Sequence, residues 1–183
     1  DTMTLSILRG SAQRLPRVLW RRRISTSPPH NNHHPPIAPL SPPVAEAVVP
    51  SPVDVMPPFA RYSHGSQVSL TPTTRLVLVS GQLGISPDGS IPLDDAEAQA
   101  DVCLRNVRAV LAATHGGAMG MGHLVRLNAY VTDRAHLPAY MRARDRMLEG
   151  EEWPHGPPAS TLMVVSGFAR PEFLVEVEAV AAA

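Results

Sequence analysis

The chain has one cysteine in 183 residues, Cys103, which excludes an internal disulfide framework and any zinc site built from several thiolates. It has no net charge either. Sixteen basic residues balance sixteen acidic ones, so bulk electrostatic capture of nucleic acid is not expected. No apolar run approaches the length of a membrane-spanning helix, about 20 residues, and no membrane partner is expected. No repeat recurs at a solenoid period. The length admits one domain of ordinary size with an appendage and excludes two full domains.

What is present is unevenly placed. From Thr2 to Ala45 there are several arginines and no acidic residue, whereas most carboxylates lie from Asp88 onwards. Within Met3–Arg23 the residues Leu5, Leu8, Leu15, Val18 and Leu19 recur at roughly helical spacing among arginines, with Pro16 as an interruption. That is the composition of an organelle transit peptide, read by its apolar face and pulled by its charge. Arg23-Ile24-Ser25-Thr26-Ser27 resembles a mitochondrial processing context. Residues 1–26 are therefore read as a leader to the mitochondrial matrix, with plastid and cytoplasm as alternatives. Residues 27–58 are dense in proline and poor in large apolar side chains, the composition of a linker that cannot offset its chain entropy by burial. His30, His33 and His34 fall in it with nothing rigid to fix them as ligands, and no metal site is expected.

The folded part is expected over residues 59–183. Gln67-Val68-Ser69-Leu70 and Arg75–Ser80 flank Thr71-Pro72-Thr73-Thr74, which predicts a hairpin. Ser86-Pro87-Asp88-Gly89 predicts a turn. Asp94, three residues before Glu97, has capping-box spacing ahead of a helix to about Thr114 that places Ala100, Cys103, Val107, Val110 and Leu111 on one face. Cys103 is thereby a core residue rather than a nucleophile. The glycine-rich 116–122 loop lacks the Gly-Lys-Ser/Thr ending of a phosphate cradle and follows a helix, so it is read as a connection. His123–Val131 is a strand with Val125, Leu127, Ala129 and Val131 on one face and Leu124, Arg126, Asn128 and Tyr130 on the other. His136–Gly150 is a second helix aligning Leu137, Tyr140, Met141, Arg144, Met147 and Leu148.

Two Val-rich runs close the chain, Pro157–Val165 and Phe173–Val180, and are expected to pair with each other. The second alternates, with Val175, Val177 and Ala179 on one face and Glu176, Glu178 and Val180 on the other. Neighbouring carboxylates on one strand face need donors or solvent nearby, which makes that face a candidate site. The order strand, strand, helix, strand, helix, strand, strand predicts an α+β layer with two helices on one face of a mixed sheet. The other face is too apolar for water and too polar for a closed core, so burial against another copy of the chain is expected.

The ending Pro157-Pro158-Ala159-Ser160-Thr161-Leu162 with Leu174–Ala181 resembles the RidA/YjgF reactive-intermediate deaminase family. So do Tyr62-Ser63-His64, Val79-Ser80-Gly81-Gln82, Asn106–Val110 and Tyr130-Val131-Thr132-Asp133, which stand in the family's order between Phe59 and Ala182. The resemblance implies a chorismate-mutase-like subunit, a homotrimer with ligand clefts between subunits, and no metal or cofactor. It implies hydrolysis of enamines or imines such as 2-aminoacrylate to 2-oxo acids and ammonia. Glu176 falls on the family's water-positioning glutamate and Tyr62 on a cleft tyrosine, while Gly81 and Gln82 would line the pocket with Ala159, Ser160 and Thr161. Ala159 departs from the pattern, standing where the family's carboxylate-binding arginine belongs, and Met141 stands where many deaminases carry a polar residue. A methyl cannot replace two charge-assisted hydrogen bonds, so another cation is required, with His64, Arg126 and Arg144 as candidates. The alternative function is a trimeric small-molecule-binding or protein-stabilising family member without activity.

Overall fold

The computed structural model describes residues 47–48, 55–114, 119–153 and 156–183. Its elements are β1 (Ala47–Val48), β2 (Ser66–Gln67), β3 (Leu76–Leu83), α1 (Ala96–Ala112), β4 (Leu124–Val131), α2 (Leu137–Met147), β5 (Ala159–Val164) and β6 (Val175–Ala182). The main sheet has the order β3-β6-β4-β5, with β6 antiparallel to both neighbours and β4 parallel to β5. The leader and the His30–His34 stretch lie outside the described residues, whereas β1 falls within the stretch read as a linker.

Period-two patterning decides which face is covered. Val175, Val177, Ala179 and Ala181 of β6 and Leu127, Ala129 and Val131 of β4 are buried against Leu104, Val107 and Leu111 of α1 and Tyr140 and Ala143 of α2. Each fully buried Leu or Val side chain contributes about 1.5–3 kcal/mol. Ion pairs from Arg142 and Arg146 of α2 to Glu97 and Asp101 of α1 tie the helices together at their solvent side.

Four local expectations are corrected. The last two strands do not pair with each other, because β6 is central and β5 lies on the far side of β4. The hairpin around Thr71–Thr74 does not form. Thr71 and Thr74 bond through their hydroxyls into a tight turn, Leu70 stays exposed, β2 pairs with β1, and β3 takes β6 as its partner. The α1 cap is Asp95, whose extended backbone lets its carboxylate accept from Ala98 N at 3.0 Å, whereas Asp94 sits at φ 55°. Leu124 joins the core because a register shift before Arg126 brings it opposite Ala181. In the 116–122 loop, the described residues Met119 and Met121 also pack into the core.

One buried polar side chain locks the loops that precede α1 and β6. Gln99 is fully buried; its amide nitrogen donates to Pro92 O at 2.9 Å and Glu172 O at 2.8 Å, and its oxygen accepts from Leu174 N at 2.8 Å. Gly84 makes room for it, since a Cβ there would lie 2.6 Å from Gln99 Cβ. Replacing Gln99 by Leu leaves one donor and two acceptors buried without partners. Urea unfolding of the Gln99→Leu variant should show a loss of about 3 kcal/mol, and a loss below about 1 kcal/mol would contradict this role.

Candidate functional site

The sheet face opposite the helices carries a polar network across three strands. Arg126 lies opposite Ala159, Asn128 opposite both Thr161 and Glu178, and Tyr130 opposite Glu176. Asn128 Nδ2 and Tyr130 Oη both donate to Glu178 Oε1, at 2.9 and 2.8 Å, and Arg126 Nη2 donates to Thr161 Oγ1 at 2.9 Å. The Asn128 and Tyr130 donors hold the Glu178 carboxyl below its ordinary value of 4.5, and the same bond pushes the Tyr130 phenol up. With its folded value depressed, Glu178 stabilises the fold above that ordinary value, and the contribution is lost as pH falls through the folded value. A shallow depression of about 170 Å³ lies over Leu78, Arg126, Asn128, Glu178 and Val180, and Asn128 Oδ1 is buried with no hydrogen-bond partner among the described residues.

Glu176 is placed differently. Its carboxylate has no hydrogen-bond partner among the described residues and lies over the backbone of β3, where Ser80 and Gly81 together oppose the single residue Glu178. This bulge brings Gly81 beneath Glu176, and a Cβ at position 81 would fall 1.7 Å from Glu176 Oε1. The glycine is thus a close-approach residue: it creates the room that the carboxylate fills. Gln82 stands beside it, but its amide nitrogen turns back to donate to Ser80 O at 3.0 Å.

A second feature lies at the other edge of the sheet, on the helix side. A groove of about 360 Å³ runs between α2, β5 and the 59–62 segment, lined by Phe59, Tyr62, Leu137, Met141, Arg144 and Leu162 as well as Ala60 and Ser160. Tyr62 is held edge-on between Phe59 and His64. The 59–67 segment is fastened to the start of β5: Ser63 N donates to Pro158 O, the Ser63 hydroxyl donates to Pro157 O, and Ala159 N donates to Ser66 Oγ.

Within one copy the expected site residues therefore form two groups. Tyr62 and Ser160 meet in the groove, and Gly81 and Glu176 meet on the open face two strands away. Thr161 belongs to the open face through Arg126, and Ala159 is buried beneath the 63–66 segment rather than lining the groove. Phe59, Leu137 and Leu162 were not singled out as site residues, because an isolated apolar side chain carries no local signal of what it will face. Cys103 is buried, burial raises its thiol, and its sulfur contacts Val175 O, so it is a core residue.

The contact between Gly81 and Glu176 is measurable. Gly81→Ala should cost about 1 kcal/mol in the native sequence and close to nothing in a Glu176→Ala background, because the added methyl meets only the end of that side chain. Equal costs in both backgrounds, read from urea unfolding, would exclude the packing described.

Comparison with known proteins adds the lineage. The chain matches the model of the family described as Endoribonuclease L-PSP over residues 54–183, and no curated protein matches it. It is similar to the solved structure of YyfB from Yersinia pestis, a Rid-family protein of unknown function, with 27% identity, TM-score 0.57 and coverage of 67% of this chain and 86% of that one. It is similar in fold to E. coli TdcF, solved with bound serine, at 21% identity and TM-score 0.53 over 69% of this chain and 91% of that one. A Pseudomonas aeruginosa protein of unknown function is 38% identical over 68% of this chain and 82% of that one, with TM-score 0.49. With the family's model covering most of the sequence, on a four-stranded mixed sheet backed by two helices, the chain belongs to the Endoribonuclease L-PSP family, the Rid/YjgF family that its motifs resemble.

Proposed function

We propose that the protein is a hydrolase of reactive enamines and imines, working in clefts formed between copies of the chain in a homotrimer. The observation that carries this is the contrast between two carboxylates one strand pitch apart. Glu178 accepts from both Asn128 and Tyr130 at Oε1, whereas Glu176 is held over Gly81 with no partner of its own among the described residues. A carboxylate fixed in place and left unpaired is suited to accept a hydrogen bond from water and orient it.

The reaction then balances without any further reagent. The water oxygen adds to the imine carbon while one of its protons moves by way of Glu176 to the nitrogen; the hydroxyl proton of the resulting carbinolamine then follows to the nitrogen as the C–N bond breaks, and ammonia and a 2-oxo compound leave. An enamine enters the same route once it has taken a proton on carbon to become the imine. Glu176 from one copy and the Tyr62–Ser160 groove from its neighbour supply the two sides of the cleft. Assembly is supported by the open face itself, where Leu78 is 73% exposed, Leu76 52% and Met163 46% around the polar network. The basic stretch from Thr2 to Thr26, with no acidic residue, supports a mitochondrial matrix location for this activity.

A second reading rests on Ala159. Its methyl cannot hold a substrate carboxylate, which favours a trimeric binding protein without turnover. Ammonia release from freshly generated 2-aminoacrylate and from larger 2-imino acids separates the two. The wild-type chain should turn over at least one of them, and Glu176→Gln should lower kcat by about 100-fold. Activity unchanged in Glu176→Gln would remove the proposed role of that residue, and binding of 2-oxo acids with no ammonia release would leave the binding protein.

A further inference from the structure

We propose that Arg144 is the carboxylate anchor of this protein and that the groove around it selects ligands in which a carboxylate is joined to a bulky apolar side chain. The inference rests on the small-molecule reading above, but it concerns binding and can stand if turnover fails.

The placement of Arg144 is unusual for a helix-borne arginine. The residue is 4% exposed, although both neighbouring arginines of α2 are on the solvent side, with Arg142 and Arg146 side chains 59% and 50% exposed. Burying a guanidinium is costly unless its donors are met. Here Nε and Nη2 converge on a single oxygen, Asp145 Oδ1, at 2.9 and 2.8 Å, and Nη1 makes no hydrogen bond among the described residues. A planar fork with spare donors at the wall of a groove fits a carboxylate, which can accept two parallel N–H bonds.

The rest of the groove supplies the second half of the specificity. Phe59, Leu137, Met141 and Leu162 make its walls apolar, and Tyr62 and Ser160 add polar groups to the lining. Tyr140, the residue one turn before Arg144, is fully buried, and its hydroxyl has no hydrogen-bond partner among the described residues. Asp145, its side chain 44% exposed, borders a separate depression with Arg61, Arg142, Arg146 and Glu149.

The two other cations are less well placed. Arg126 shares the open face with Glu176, but it is engaged with Thr161 and does not line the groove. His64 packs against Tyr62 but does not line the groove. Arg144 is therefore the cation that lines the groove. It does so one turn from Met141, which leaves the walls apolar.

Calorimetry on the full chain with two stable probes tests this without any turnover. 4-Methyl-2-oxopentanoate has both the carboxylate and the apolar body, and 4-methylpentan-2-one has the body alone. Arg144→Met should weaken the oxo acid by about 30-fold and leave the ketone within about threefold. Arg142→Met, which removes the same charge outside the groove, should leave both unchanged. If Arg144→Met does not fold, Arg144→Lys keeps the charge but loses the fork and should weaken the oxo acid by about tenfold. Oxo-acid affinity unaffected by Arg144→Lys and Arg144→Met, or lowered equally by Arg142→Met, would overturn the proposal. Binding that depends on Arg144 in a protein that releases no ammonia would keep the anchor and remove the hydrolase.

Discussion

β6 runs between β3 and β4, and its strict alternation sets the two faces of the molecule. Val175, Val177, Ala179 and Ala181 point into a core closed by both helices, so Glu176 and Glu178 must point the other way. A one-residue slip would bury both carboxylates and expose the core. The fold and the candidate chemistry therefore depend on the same register. The β3 bulge adds the local condition, because only a residue without a side chain leaves room at position 81 for Glu176.

This architecture also separates the site into parts. The Glu176 carboxylate lies on the open face near β3, and the groove with Tyr62, Ser160 and Arg144 lies on the helix face beside β5, at the opposite edge. No bending of one sheet brings those places together. A neighbouring copy can, and the open face, with Leu76, Leu78 and Met163 around Arg126, Asn128 and Tyr130, has the mixed character of a surface that is covered in an assembly.

Much of this was legible in the residues. The two-faced reading of β6 and of most of β4 needs only period-two patterning, and the α1 core face of Ala100, Cys103, Val107 and Leu111 needs only helical spacing. Strand partnership was not legible, since β5 and β6 are adjacent in sequence with a turn between them, yet long-range pairing inserts β4. The choice of Asp95 over Asp94 as cap was decided by backbone dihedrals that both aspartates could have adopted. Gln99 carried no signal at all, because its partners are backbone groups of Pro92, Glu172 and Leu174 that only folding brings near. Glu176 stood out as one of two adjacent carboxylates, but its release from the network that binds Glu178 appears only in three dimensions. Arg144 was visible as a cation on the inner side of α2, and its groove was not.

The central claim is that Glu176 and the groove act across a boundary between copies. Co-expressing two inactive variants tests it most directly: Glu176→Gln, and Met141→Trp to fill the groove, each with its own tag so that mixed assemblies can be purified. The purified mixed trimers should return about a third of the native imine hydrolysis, since one of the three clefts in each pairs an intact Glu176 with an intact groove. Mixed assemblies no more active than either parent would contradict the account.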